Sequence, residues 1–243
     1  MRNIKLTIEY DGSAFSGWQI QPSERTVQGE IESAVTKLTG SAVKVIGAGR
    51  TDAGVHAVGQ AANFHIESDH SPATIGRALN NILPSDILIR NTREVPLSFH
   101  SRYDAKHKTY NYIFITKKTA LWRKSYLRVR ENLDIDAMRY ALSRIKGKKD
   151  FASFASSSGV KTTECRVISA DLRQRDPLLI ISLKADRFLY NMVRTVAGTV
   201  LEAGRGKDYD MDRIIAARDR SRAGPNLPPH ALYLMEVAYD PPV

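Results

Sequence analysis

Apolar and polar residues alternate from the start of the chain. Ile4, Leu6, Ile8 and Tyr10 fall on one side and Lys5, Thr7 and Glu9 on the other, which predicts a half-buried strand over 3–10. Asp11-Gly12-Ser13 reads as the turn that ends it. After a loop carrying Trp18, the period changes. Val27, Ile31, Ala34, Val35 and Leu38 recur at helical spacing, with Gly40 as the stop signal. Strand pattern returns over 42–47 and 60–66, and the loop 48–58 lies between them. A helix over 74–83, Pro84 as its breaker and a strand over 87–95 follow. Strand, helix, strand, strand, helix, strand is the order of a ferredoxin-like split βαβ half.

The second half opens with a basic loop, 102–108, and the aromatic-rich strand Tyr110-Asn111-Tyr112-Ile113-Phe114. Ile135, Met138, Ala141, Leu142 and Ile145 form one helical stripe. Residues 166–173 and 178–183 read as a hairpin across Asp176-Pro177. A long helix is predicted over 188–203, ended by Gly204, and a last strand over 232–239. Ser156-Ser157-Ser158-Gly159 reads as a loop. The fold class is therefore α+β, as two like halves, 1–104 and 105–243, sharing a mixed, mainly antiparallel sheet.

At 243 residues, the chain is long enough to bury a core without staples. Its one cysteine, Cys165, excludes an intramolecular disulfide and a multi-cysteine zinc site, and reads as structural. No run approaches the ~20 apolar residues of a membrane span and no signal-peptide segment is seen, so a cytoplasmic protein is expected. Charge narrows the class further. An excess of +10 and a pI near 9.7 attract polyanions, of which nucleic acid is the commonest. The cations cluster at Lys106-His107-Lys108, Arg123-Lys124, Arg128 and Arg130, Lys146 to Lys149, and Arg218 to Arg222. Lys106 and Lys108, with Lys148 and Lys149, concentrate charge on predicted loops and are the first candidates for phosphate contacts.

The chemistry concentrates in Gly49-Arg50-Thr51-Asp52-Ala53-Gly54-Val55-His56. Two glycines permit a tight, irregular backbone around the Arg-Thr-Asp core. Arg50 and Asp52 are two positions apart, so in extended chain they point to one side. On residue types alone, Asp52 as a turn cap is the favoured reading. His56, tempting as an acid or base, reads better as a packed or backbone-bonded histidine.

This string resembles the signature of TruA-type tRNA pseudouridine synthases, and the resemblance extends along the chain. Ile8-Glu9-Tyr10-Asp11-Gly12 with Gly17-Trp18-Gln19, then Thr26-Val27-Gln28-Gly29, Lys108-Thr109-Tyr110-Asn111-Tyr112, Phe188 to Arg194, and Ala223 to His230 match family segments in order. Arg187, Asn226, Leu227 and Ala231 depart from it, where smaller residues are usual.

The resemblance implies a pseudouridine synthase fold and isomerisation of uridine in the tRNA anticodon stem-loop, at tRNA positions 38, 39 and 40, by a homodimer. It makes Asp52 the catalytic carboxylate, by a covalent or a glycal route that the sequence leaves open. It makes Tyr110 the stacking partner of the target base, with a further role in proton transfer, and Arg50 a residue that holds the target nucleotide out of the helix. Lys106 and Lys108 are expected to bind substrate. A closed pocket disfavours a charged carboxylate unless a cation offsets the cost, and the resemblance assigns that cation as Arg194. The helix pattern agrees. Leu189, Met192, Val193, Val196 and Val200 make one stripe, and at about 100° per residue Arg187, Tyr190 and Arg194 lie opposite it. Read without the family, Arg194 is as well a solvated arginine and Tyr110 as well a core aromatic. The reaction carries no group and oxidises nothing, so neither cofactor nor metal is expected.

Two other readings compete. One is a non-catalytic tRNA-binding or RNA-chaperone protein that keeps the fold, which an altered residue 52 would favour. The other is a metal-dependent nuclease using Asp52 and His56, which lacks the carboxylate cluster that two-metal sites need.

Overall fold

The structure is a computed structural model that describes residues 1–156 and 162–240; Ser157, Ser158 and Gly159 of the serine loop lie outside the described residues. The chain divides into two compact units, Met1–Lys106 with Tyr233–Val243, and His107–Leu232.

The first unit runs β1 (Arg2–Tyr10), α1 (Val27–Thr39), β2 (Ile46–Gly47), β3 (His56–Ile66), α2 (Pro72–Ile82) and β4 (Ile87–Val95). This is the split βαβ order. Strand β1 lies between β4 and β3, antiparallel to both. The far edge of β3 takes β2 at Asn63 and Ala62. At its other end, the last strand of the chain, β10 (Leu232–Tyr239), pairs in parallel with His56 and Ala57. Local chemistry sets the helix bounds. Thr26 caps α1 by accepting from the Gly29 amide, and Gly40 closes it at φ 73°. Ser71 caps α2, with Pro72 in its first turn.

Ile4, Leu6 and Ile8 are fully buried. They share a face with Phe64 and Ile89 across the ladder. Helix α2 lies on this face, so close that a Cβ at Gly76 would stand 2.3 Å from Thr92 Oγ1. The opposite face is buried too, but polar. Asn3 Nδ2 donates to the Pro96 and Phe99 carbonyls, each at 3.0 Å. Asn63 Nδ2 donates to Asn3 Oδ1 at 2.9 Å, and Asn63 Oδ1 accepts from the Ser101 amide at 2.9 Å. The Tyr239 hydroxyl closes the set on the Ser101 carbonyl at 2.8 Å. Lys5 lies over the Tyr239 ring, 4.4 Å from its centroid. Burial, with Arg93 adding, holds the Lys5 ammonium below its usual range. The segment after β4 is thereby fastened across the sheet.

The second unit contains β5 (Ala105–Ile115), β6 (Leu127–Arg128), α3 (Ile135–Arg144), β7 (Gly147–Asp150), β8 (Glu164–Arg175), β9 (Leu178–Ala185), α4 (Met192–Gly204) and α5 (Met211–Ala217). Its strands run in the order β5-β9-β8-β7, with neighbours antiparallel, and β6 joins β5 in parallel. Strands β8 and β9 are the hairpin across Asp176-Pro177. Tyr112, Phe114, Ile181, Leu183 and Met138 are fully buried. Helices α3 and α4 touch so closely that a Cβ at Gly204 would meet Met138 Sδ at 2.8 Å.

Several expectations need correction. The strand over 42–47 shrinks to Ile46–Gly47, and the loop 48–58 ends early because β3 starts at His56. The basic loop 102–108 is in part strand: β5 begins at Ala105, so Lys106 and Lys108 are strand residues. Lys148 and Lys149 likewise lie in β7, which pairs with β8. Helix α4 begins at Met192 rather than 188, because Asn191 is left-handed at φ 63° and breaks the helical path. Its apolar stripe widens to nearly the whole circumference: Met192, Val193 and every residue from Thr195 to Gly204 are buried. Arg187 and Tyr190 precede the helix.

The buried polar layer gives a stability prediction. Asn63→Ala would strand Asn3 Oδ1 and the Ser101 amide in a fully buried place, at about 1–3 kcal/mol for each unsatisfied group. The melting temperature should fall by roughly 4–24 °C. A fall under about one degree in a thermal scan would show that the layer does not hold the 96–101 segment.

Candidate active site

The loop from Ala48 to Val55 has almost no ladder of its own, so its shape is imposed by what it touches. Its ends are fixed first. The Ala48 amide donates to the Ala61 carbonyl at 2.8 Å, and the fully buried Gln60 donates to the Gly49 carbonyl at 3.0 Å. The middle is fixed by Thr51, which is buried between two exposed or half-exposed neighbours. Its hydroxyl meets the Tyr10 hydroxyl at 2.8 Å, and its carbonyl accepts from the Trp18 amide at 3.1 Å. Burial pushes the Tyr10 phenol up to about 12, so it stays a neutral partner at ordinary pH. The far end is a tight turn. The Val55 amide donates to the Asp52 carbonyl at 3.1 Å across Gly54, at φ 78°.

Two glycines let the neighbouring segment come this close. A Cβ at Gly12 would stand 2.0 Å from the Val55 carbonyl oxygen. One at Gly17, whose φ is already 100°, would stand 2.8 Å from the Thr51 oxygen. The same segment ties back to α1, since Val27 donates to the Gly17 carbonyl and Gln28 to the Trp18 carbonyl. Motifs far apart in sequence thus become one support for the loop.

His56 is part of that support. It is buried, accepts from the Gly12 amide at Nδ1 (3.1 Å) and stacks on Tyr233 at 4.7 Å between centroids. The same Nδ1 lies 3.1 Å from an Asp11 carboxylate oxygen. A nitrogen that accepts from Gly12 does not at once donate to Asp11, and the amide bond has the donor geometry. Burial opposes charge on Asp11, but hydrogen bonds from Ser13 hold its carboxyl below the usual range. On this backbone Arg50 is exposed and Asp52 half-buried.

Along β5, Lys106, Lys108 and Tyr110 stand two apart, so they share a face. Lys106 is exposed, Lys108 half-buried and Tyr110 buried. Phe188 meets the Tyr110 ring edge-on, at 5.1 Å and 83°. Four residues on, α4 begins and presents Arg194, the one residue of its first two turns that is not buried. Arg194 is held on two sides: Nε donates to the Leu227 carbonyl at 2.6 Å and Nη1 to Asn191 Oδ1 at 2.8 Å. It is therefore no freely solvated arginine. The segment bearing Leu227 lies directly on α4. A Cβ at Gly198 would stand 1.9 Å from the Pro225 carbonyl oxygen, and one at Gly224 would stand 2.7 Å from Thr199 Cα. Tyr112 fastens the next residue, donating to the Pro228 carbonyl at 2.9 Å. Burial drives its phenol well above the usual range, against the nearby Arg194 charge.

Gln60 escapes the sequence reading, and Tyr10, Tyr112 and Asn191 stand there only within matched segments, with no role assigned to them. Only Asn191 carried a local signal: an Asn suited to a left-handed turn, three residues before an Arg. Among the described residues, no group of three or more His, Cys, Asp or Glu could hold a metal ion. No described helix is long and apolar enough to cross a membrane.

A family model described as tRNA pseudouridine synthase matches residues 6–104 and 141–240. A tRNA pseudouridine synthase A of Caldicellulosiruptor bescii is 48% identical over 244 residues, spanning 98% of this chain and 100% of its own length. Proteins of the same name from Caldicellulosiruptor saccharolyticus and Geobacter sp. are each 44% identical, spanning 98% of this chain and 100% and 99% of their own.

The glycine approaches yield a test. Gly12→Ala forces a side chain onto backbone that cannot give way, at about 1–3 kcal/mol. The melting temperature should drop by several degrees, and the 48–55 loop should open to native-state proteolysis. Equal cleavage rates in variant and wild type would refute the clamp.

Proposed function

The chain belongs to the tRNA pseudouridine synthase family, and on that premise we propose that it isomerises uridine to pseudouridine in the anticodon stem-loop of tRNA, at tRNA positions 38, 39 and 40. The observation that carries this is full-length similarity to relatives of one name, joined to a carboxylate, Asp52, on a loop held by backbone contacts at both ends.

The reaction breaks the N1–C1′ bond, turns the base and forms a C5–C1′ bond. The proton on C5 leaves to solvent and one is gained at N1. No electron pair leaves the system, so the protein's own side chains suffice. Asp52 acts at the reacting atoms of the flipped nucleotide. Tyr110 stacks on the base, and its hydroxyl serves the later proton transfer. Arg194 offsets the carboxylate charge in the closed complex, a role favoured by its fixed guanidinium. Arg50, exposed on the Asp52 loop, takes the place of the extruded nucleotide, because a base in a stem is out of reach until it is flipped. Lys106 and Lys108 lead along β5 toward Tyr110 and hold phosphates. A homodimer acting on one tRNA, in the cytoplasm, belongs to the same proposal.

Release of tritium from tRNA labelled at uridine C5, with and without EDTA, tests the reading. Release in both arms supports it. Intact RNA without release would make the protein a binder, and cleavage stopped by EDTA a nuclease. Asp52→Asn changes shape little and removes the charge. It should cut release more than about a hundredfold, the usual scale for an essential group, with tRNA affinity within a few-fold. Retention of more than about a hundredth of the rate would remove Asp52 from the chemistry. Tyr110→Phe keeps the ring and loses the hydroxyl. Binding should stay near normal while turnover collapses, and an unchanged rate would confine Tyr110 to stacking.

A further inference from the structure

The segment 116–130 connects the end of β5 to β6 and the residues just after it. It holds Lys117, Lys118, Arg123, Lys124, Arg128 and Arg130 and no Asp or Glu, so fifteen residues carry six of the ten net positive charges of the chain. All six are exposed. Among the described residues, only the Lys117 ammonium pairs with a carboxylate, Asp176 at 2.7 Å, while at the far end the Arg130 backbone amide donates to the Glu131 carboxylate at 3.1 Å. The segment also displays apolar surface: Leu121 is 84% exposed and Trp122 48%.

This is a built turn. The Ser125 and Tyr126 amides both donate to the Trp122 carbonyl, at 3.0 and 3.1 Å. The Tyr126 ring backs the indole at 6.1 Å and 56°. The Arg123 guanidinium curls back to the Ala120 carbonyl at 3.0 Å. Both ends are anchored, because β6 pairs with Phe114 and Ile115, and the buried Val129 donates to the Ile115 carbonyl at 3.0 Å.

A protein-binding patch would be depleted in charge at its centre, lysine above all. Uncompensated cations around an aromatic ring are the composition that grips a single strand of nucleic acid. The cations follow the phosphates, and the ring takes the face of a base that no pairing hides.

We propose that this turn is an RNA-docking element for an unpaired stretch of the substrate, with a base stacked on Trp122 and phosphates held by Arg123, Lys124 and Arg128; it rests on the tRNA reading above and adds where the RNA is gripped outside the reacting nucleotide.

The experiment uses the full chain. It has two tryptophans, and Trp18 is 3% exposed, so acrylamide quenching reads Trp122. An unmodified tRNA transcript should protect that emission, and a fully paired RNA duplex should not. Trp122→Ala should weaken transcript binding about 5- to 150-fold, the range for losing one stacked base. Trp122→Phe should restore most of it. Arg123→Ala and Lys124→Ala should each flatten the log–log salt slope by roughly 0.7. Single-turnover tritium release at saturating enzyme should stay at the wild-type rate in all four variants. Unchanged transcript affinity in Trp122→Ala overturns the proposal. So does a change in sedimented mass without a change in RNA affinity, which would mark an interface between copies of the chain. If the wild type releases no tritium, the proposed reaction fails, while quenching and affinity still decide whether the turn grips unpaired RNA.

Discussion

Everything attributed to Asp52 depends on two stretches of backbone touching without side chains between them. Gly12 and Gly17 bring the segment after β1 against Val55 and Thr51 at distances that no Cβ tolerates. Hydrogen bonds then lock what sterics permit. Trp18 and Tyr10 both hold Thr51, and His56 holds the Gly12 amide. A short loop exposed to water, with few ladder bonds, ordinarily belongs to the least stable part of a protein. Here its ends and its middle each have a buried partner, so the carboxylate is borne on a rigid base. Catalytic groups need that, because a displacement of about an ångström can cost two orders of magnitude in rate.

The second unit reaches the same end by the same means. Helix α4 is buried around nearly its full circumference, which leaves little room for a long polar side chain. Gly198 and Gly224 let the 223–228 segment lie directly on the helix. The carbonyl of Leu227 thereby reaches the Arg194 guanidinium, and Leu227 itself fills the space beside Gly198. A half-buried cation without acceptors is costly. Asn191 and Leu227 supply them and at once fix the direction of the charge. The departure at Leu227 thus has a packing role in this chain.

What the sequence revealed, and what it hid, follows from where each constraint is encoded. Strand β1 was legible because apolar residues on one face and polar residues on the other write an alternation into consecutive residues, even though both faces are largely buried. Helix α1 was legible because cap, stripe and stop are all local. Strand β7 reads Gly-Lys-Lys-Asp and has no such alternation. It is a strand only because β8 offers an edge beside it. The basic start of β5 misleads for the same reason, since its partners on β9 lie some seventy-five residues away. The start of α4 turns on one left-handed residue. At the candidate site, Asp52 and Arg50 stand out through a motif. Tyr10 and Gln60 do not, since each occupies an ordinary place in a strand and matters only through a partner in another element.

Charge follows the same division. The run from Lys146 to Lys149 looks, in sequence, like the densest basic cluster. In the fold Lys146 meets Asp171, Lys148 meets Glu164 and Lys149 meets Asp212, which also holds Arg144. Arg218 of a later cluster meets Asp150. Exposed pairs of this kind contribute only about 0–1 kcal/mol each to stability. Their larger effect is on the field. At physiological ionic strength a phosphate senses charge within about 8 Å, and a lysine with a carboxylate inside that radius presents little net potential. The attraction of a polyanion therefore follows unpaired cations rather than basic residues as counted. That shifts the weight from the 146–149 run to the segment 116–130, where one cation in six is paired, and to Arg50 and Lys106, for which no carboxylate partner stands among the described residues.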